Sequence, residues 1–195
     1  IDKYPILKLD FKGQDYVKEY FASYSLNGKI ILGVHPGASG KVREWIYYGE
    51  LLKKIQEEYE NIFFVIFSGP GDKVCVDNAI RYLQGEYIIV NESIENYIQL
   101  VGFCDCFISN DSGAAHIAAA YGMPTIDIFT NNLICWWRPY NYNGQTRCIG
   151  KDLPCKPCCR SDKCKKKTLE CNKSISVEEV FAEFADMFNK IRGKK

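Results

Sequence analysis

No apolar run in this sequence approaches the ~20 residues that a membrane-spanning helix needs. Charge of one sign is also missing. The 25 Lys and Arg nearly cancel the 24 Asp and Glu, and a net charge of +1 gives no electrostatic footprint for a nucleic-acid partner. There is no internal repeat and no low-complexity linker, so nothing marks a boundary between domains. The opening residues, from Ile1 rather than a methionine, lack the charged-then-apolar order of a secretory signal, and the chain is expected to be a fragment of a longer protein. Histidine is scarce, with His35 and His116 alone.

What is present is an ordinary core-forming composition, 47% hydrophobic and 25% charged. At 195 residues it suffices for one ample core. Ten cysteines is a high count. Five are scattered at strand-like or core-like positions (Cys75, Cys104, Cys106, Cys135, Cys148), and five crowd into residues 155–171 (Cys155, Cys158, Cys159, Cys164, Cys171). A secreted disulfide scaffold would be smaller and poorer in core residues, which favours an intracellular protein with one cysteine-rich patch. Cys155-x-x-Cys158 has the spacing of half a zinc site, but Cys164 and Cys171 stand six residues apart, so bridged or plain reduced thiols are the stronger expectation. Residues 151–173 also hold eight cations (Lys151, Lys156, Arg160, Lys163, Lys165, Lys166, Lys167, Lys173) against Asp152, Asp162 and Glu170. That run suits a solvated loop or, alternatively, contact with an anionic membrane surface or phosphorylated substrate.

Apolar runs at 29–34, 62–67, 86–90, 104–109 and 124–129 are bounded by turn residues, as buried parallel strands are. Helical spacing fills 14–25, 44–59, 72–84, 94–103 and 112–121, and an amphipathic stretch with Val177, Val180, Phe181, Phe184, Phe188 and Ile191 ends the chain. The alternation predicts one α/β domain over 1–195, a Rossmann-like doubly wound parallel sheet. Its core sheet spans 27–130, an irregular Trp- and Cys-rich region 131–173, and a closing helix 174–192.

Ligands of such sheets bind beyond the carboxyl ends of the strands, so the loops there carry the functional signal. After the first strand, "HPGASGKVREW" places Gly37, Ala38, Ser39 and Gly40 beside Lys41 and Arg43, the composition of an anion site, most naturally phosphate. After the second, Asp72 can accept from sugar hydroxyls or cap the next helix. After the fourth, "SNDSGAAHIAAAYGMPT" offers Asp111 or Ser112 as a cap, Gly113 for close approach to a helix N-terminus, and His116 on the same turn. After the fifth, Trp136 and Trp137 can stack on a base or cover the edge of the sheet.

In that order, "HPGAS…REW", "SNDSGAAHIAAAYGMPT" and "PCKPCC…C…C" with its amphipathic helix resemble the C-terminal half of the glycosyltransferase family 9 enzymes, the heptosyltransferases of the lipopolysaccharide inner core. The resemblance runs from about residue 29 to residue 190. It implies the C-terminal domain of a GT-B glycosyltransferase, two Rossmann-like domains facing across a cleft, with the N-terminal acceptor domain absent. It implies that Ser39, Lys41, Arg43, Asp72, Asp111, Ser112, Gly113 and His116 bind a nucleotide-sugar donor, typically ADP-heptose. Arg43 stands where the family usually has a diphosphate-contacting lysine, with Lys41 the substitute in a shifted register, and Asp72 falls near an acidic residue that meets the ribose. No catalytic residue is expected in this chain, since the family's base lies in the N-terminal domain, and no cofactor or metal is implied. The implied acceptor is lipopolysaccharide or another lipid-linked molecule, and the implied location is cytoplasmic with peripheral contact at the inner membrane. One departure is Phe129-Thr130, where Phe-Gly is common in the family. Two alternatives stay open at this stage: a GT-B-like nucleotide-sugar epimerase, or a non-catalytic nucleotide-binding or cysteine-rich interaction module.

Overall fold

A computed structural model describes residues 4–158 and 163–193. Ile1, Cys159, Arg160 and Asp162, named above, lie outside the described residues. Six strands form one parallel sheet in the order β3-β2-β1-β4-β5-β6. The strands are β1 (Ile30–His35), β2 (Ile62–Phe67), β3 (Tyr87–Val90), β4 (Cys106–Asn110), β5 (Thr125–Phe129) and β6 (Thr146–Gly150). Every residue of β1, β2, β4 and β5 is buried, which is why these strands read as continuous apolar runs rather than alternating ones.

Helices cover both faces. One face packs on α2 (Tyr48–Glu58), α3 (Lys73–Ile80) and the closing helix α8 (Val177–Arg192), which supply Leu51, Leu52, Ile55, Val76, Ala79, Phe184 and Phe188. The other packs on α1 (Phe11–Phe21), α4 (Ile94–Val101) and α5 (Gly113–Ala120), through Val17, Phe21, Tyr97, Leu100, Ala114 and Ala118. Ala115 and Ala119 of α5 are fully buried, so this helix lies close against the sheet as its alanine run requires. Helix α8 starts on a capping sequence: Ser176 Oγ accepts the N–H of Glu179 at 3.2 Å.

The stretch 131–173, expected to be irregular, contains the sixth strand and two one-turn helices, α6 (Ile134–Trp137) and α7 (Glu170–Lys173). Strand β6 has one buried residue, Ile149, and lies at the edge, so its sequence TRCIG carries little apolar signal. The edge of the sheet next to β5 is therefore covered by a strand rather than by the tryptophans, which stay exposed on α6. Helix α2 begins at Tyr48, four residues later than the pattern predicts. Trp45, counted in that pattern, is buried ahead of the helix, where its Nε1 donates to the carbonyl of Ile175 at 2.9 Å. Of the scattered cysteines, Cys75, Cys104 and Cys106 are buried, Cys148 is half-buried, and Cys135 is exposed on α6. Cys155, Cys164 and Cys171 are free thiols, and Cys158 Sγ donates to the carbonyl of Cys155 at 3.2 Å.

Candidate donor-binding site

Strand order reverses between β1 and β4, and this switch point is where an open α/β sheet forms its crevice. Four loops meet there and line one cavity of about 480 Å³, large enough for a nucleotide-sized ligand. The loop after β1 supplies Ala38, Ser39 and Arg43, and the loop after β2 supplies Gly69 and Asp72. The β4–α5 junction gives Asp111, Ser112, Gly113 and His116, and the segment after β5 gives Asn132 and Trp137. Seven of the eight expected site residues thus share one cavity, while Lys41 is exposed and outside its lining. Asn132 and His35, which carry no local mark of a site in the sequence, also line the cavity.

The loop after β1 is fixed by polar side chains from distant parts of the chain. Asn110, the last residue of β4, donates from Nδ2 to the carbonyl of Pro36 at 2.6 Å and accepts the N–H of Trp45 on Oδ1 at 3.1 Å. Thr130 donates from Oγ1 to the carbonyl of Val42 at 2.8 Å, which gives the departure from Phe-Gly a structural role. Asn172, at the end of the cysteine-rich region, accepts the N–H of Ile46 at 3.1 Å and donates to the carbonyl of Glu44 at 2.6 Å. Within the loop, Arg43 donates from Nη1 to Ser39 Oγ at 2.9 Å.

At α5 the N-cap is Ser112, and no side-chain bond caps the helix, because Ser112 Oγ pairs with Ser109 Oγ at 3.0 Å. A Cβ built on Gly113 meets no atom of the described residues within 4 Å, so a ligand can come close to the backbone at this helix start. Arg43, His116 and Lys156 all act on the carboxyl of Asp111, but burial outweighs them and pushes it above the usual carboxylate range. Asn132 donates from Nδ2 to Asp111 Oδ2, tying the β5 segment to the β4–α5 junction. Asp72 does not cap α3 with its side chain; its Oδ2 accepts the N–H of Gly69 at 2.7 Å. A Cβ on Gly37 would stand 2.3 Å from the Asp72 carboxyl carbon, so only glycine leaves that carboxylate its place.

The arrangement can hold an anion between a cationic side chain and a helix N-terminus, with a carboxylate a short distance away for hydroxyl groups. The sequence model of "Glycosyltransferase family 9 (heptosyltransferase)" matches residues 4–169. The chain belongs to glycosyltransferase family 9. Among curated relatives, the family member "Lipooligosaccharide heptosyltransferase 2" of Campylobacter jejuni is 30% identical over 165 residues, covering 80% of this chain and 51% of the relative. "Lipopolysaccharide heptosyltransferase 2" of Escherichia coli is 24% identical over 136 residues, covering 64% of this chain and 38% of the relative. The fold matches that of solved family 9 structures. E. coli "ADP-heptose lps heptosyltransferase II" superposes with a TM-score of 0.75 at 18% identity, covering 97% of this chain and 56% of that one. A "glycosyl transferase family 9" structure from Veillonella parvula superposes at 0.72 with 16% identity, covering 95% and 54%. This family 9 chain therefore spans about half the length of the relatives it matches. Among its described residues no helix is long and apolar enough to cross a membrane.

Proposed function

We propose that this chain is the donor-binding part of an inverting glycosyltransferase that moves a heptose, or a related sugar, from a nucleotide-sugar such as ADP-heptose to a lipopolysaccharide-type acceptor. The observation that carries the reading is the convergence of Arg43, Asp72, His116 and the start of α5 on one cavity at the switch point of the sheet. The diphosphate lies against the N-terminus of α5, where peptide dipoles favour negative charge, with Arg43 and His116 as flanking donors. These groups stabilise the charge that develops on the departing diphosphate as the anomeric carbon is displaced. Asp72 accepts from hydroxyls of the nucleoside. Asp111, itself negative, serves the sugar hydroxyls and the geometry of its loop rather than the phosphates.

No base for the acceptor hydroxyl is assigned within this chain, and that proton transfer belongs to the acceptor-binding part of the longer enzyme. The lysine-rich stretch around Lys163–Lys167 suits contact with the anionic inner face of a membrane that carries the acceptor. The reading is tested by calorimetric titration of the chain with ADP, UDP and GDP, repeated with Arg43→Ala and His116→Ala. Saturable binding of one nucleotide, weakened in both variants, supports it. Binding of none, or binding indifferent to both substitutions, removes the site assignment.

A further inference from the structure

His35 ends β1 beneath the cavity, and its side chain is 11% exposed. Each ring nitrogen faces a group from a different element. Nδ1 lies 3.1 Å from the hydroxyl of Tyr97 on α4, and Nε2 lies 3.8 Å from Oδ2 of Asp72 ahead of α3. The Tyr97 ring stands edge-on at 6.1 Å and 83°. The carbonyl of Phe67 on β2 also faces the imidazole and favours a ring N–H. Around Asp72, Glu44 and Cys75 are the further titratable neighbours: burial raises both, and Cys75 is pushed up to about 12.

Burial lowers the basicity of His35 and holds Tyr97 well above the usual phenol range, so at neutral pH the pair shares one ring proton and one phenol proton. Two tautomers are available. With the proton on Nδ1, the lone pair of Nε2 would face a carboxylate oxygen, a repulsive contact. With the proton on Nε2, the N–H dipole points at Asp72 while Nδ1 accepts from Tyr97. Asp72 is otherwise wedged against Gly37 and held by the N–H of Gly69, and the imidazole closes a further side.

We propose that His35 is a positioning residue: Tyr97 selects its Nε2–H tautomer, and the positive end of that N–H, facing Asp72 across 3.8 Å as an electrostatic contact longer than a hydrogen bond, favours the carboxylate aim that accepts hydroxyls of the bound nucleotide. The ligand half of this statement rests on the donor-binding reading; the tautomer half does not.

A long-range ¹⁵N–¹H correlation spectrum of the chain at pH 7.5 reads the tautomer directly. The expected result is a protonated Nε2 and a bare Nδ1 for His35, with Tyr97→Phe shifting the ring toward a mixture. A proton on Nδ1 in the unsubstituted protein overturns the inference. Calorimetry with ADP and with inorganic pyrophosphate reads the consequence. His35→Leu is expected to weaken ADP about tenfold, the scale of one lost polar contact, and to leave pyrophosphate within about twofold. His35→Gln, whose amide nitrogen can stand near the Nε2 position, is expected to recover most of the ADP affinity. Equal losses for both ligands, or a glutamine variant as weak as the leucine one, would show that the ring only fills space. If the unsubstituted chain binds no nucleotide, the donor-binding reading fails by itself and the spectrum still decides the role of His35.

Discussion

The side chain of Asn110 joins β4 to both ends of the loop after β1, donating to the carbonyl of Pro36 at 2.6 Å and accepting from the N–H of Trp45 at 3.1 Å. One buried amide thus spans the switch point of the sheet. It sets the distance between the loop that carries Arg43 and the junction that carries Gly113 and His116. Buried polar groups of this kind are costly when left unpaired, so the geometry is enforced rather than merely allowed.

Asn110→Asp keeps the size of the side chain and turns its donor into an acceptor against a carbonyl. The expected loss of stability is about 2–3 kcal/mol, the cost of a buried unmade hydrogen bond. Urea denaturation followed by circular dichroism measures it. A midpoint equal to that of the parent protein would mean that the loop is held by Thr130 and Asn172 alone.

Arg43→Ala and His116→Ala are each expected to weaken nucleotide binding by about 1.5–3 kcal/mol, the value of one charge-assisted contact. Lys41→Ala is the control. Its side chain is exposed and does not line the cavity, so its affinity should stay within about 0.5 kcal/mol of the parent. A Lys41 effect as large as that of Arg43 would show that the register of this loop is different in the complex.

Gly37→Ala places a methyl where the carboxyl of Asp72 stands. The carboxylate must move and give up its bond from the N–H of Gly69. The expected signature in calorimetry is a loss of ADP affinity of about 1–2 kcal/mol, with pyrophosphate affinity retained. Equal weakening of the two ligands would place the damage in the phosphate-binding loop instead.

Asp127 lies in the middle of β5, fully buried, with neither carboxyl oxygen hydrogen-bonded among the described residues. Burial, with the nearby charge of Asp111, raises its carboxyl well above the usual range. The folded state then keeps a proton that the unfolded chain has released, so this group's contribution to stability is present below the unfolded-state value of about 3.9 and is lost as pH rises through the folded one. Within that window the slope approaches about 1.4 kcal/mol per pH unit. Asp127→Asn, which keeps the shape and does not ionise, should remove this fall, seen as a stability gap that grows in the variant's favour as pH rises above the unfolded-state value of about 3.9. A gap independent of pH would mean that Asp127 is ionised in the folded protein.

Much of the cavity's lining was legible in the sequence because its parts are local. "SNDSGAAH" reads locally as a strand end followed by a helix start, and this alone brings Asp111, Ser112, Gly113 and His116 together. Arg43 and Asp72 were legible once the strands were recognised as parallel, since every such loop then opens on the same side. Strand β6 is not legible in the sequence because an edge strand with a single buried residue carries almost no apolar pattern. The start of α2 was misplaced because Trp45 fits a helical spacing, while long-range hydrogen bonds hold it outside the helix.

By itself, then, the sequence determined the alternating strands and helices, their two covered faces and the strand-to-helix junction at the start of α5. Those features follow from periodicity and capping, which act over a few residues. The tertiary structure alone decided that Asn110, Thr130 and Asn172 clamp one loop, that Asn132 ties Asp111, and that His35 stands between Tyr97 and Asp72. Each of these contacts joins residues 21 to 128 positions apart, and a polar side chain carries no mark in sequence of the distant partner that satisfies it once both are buried.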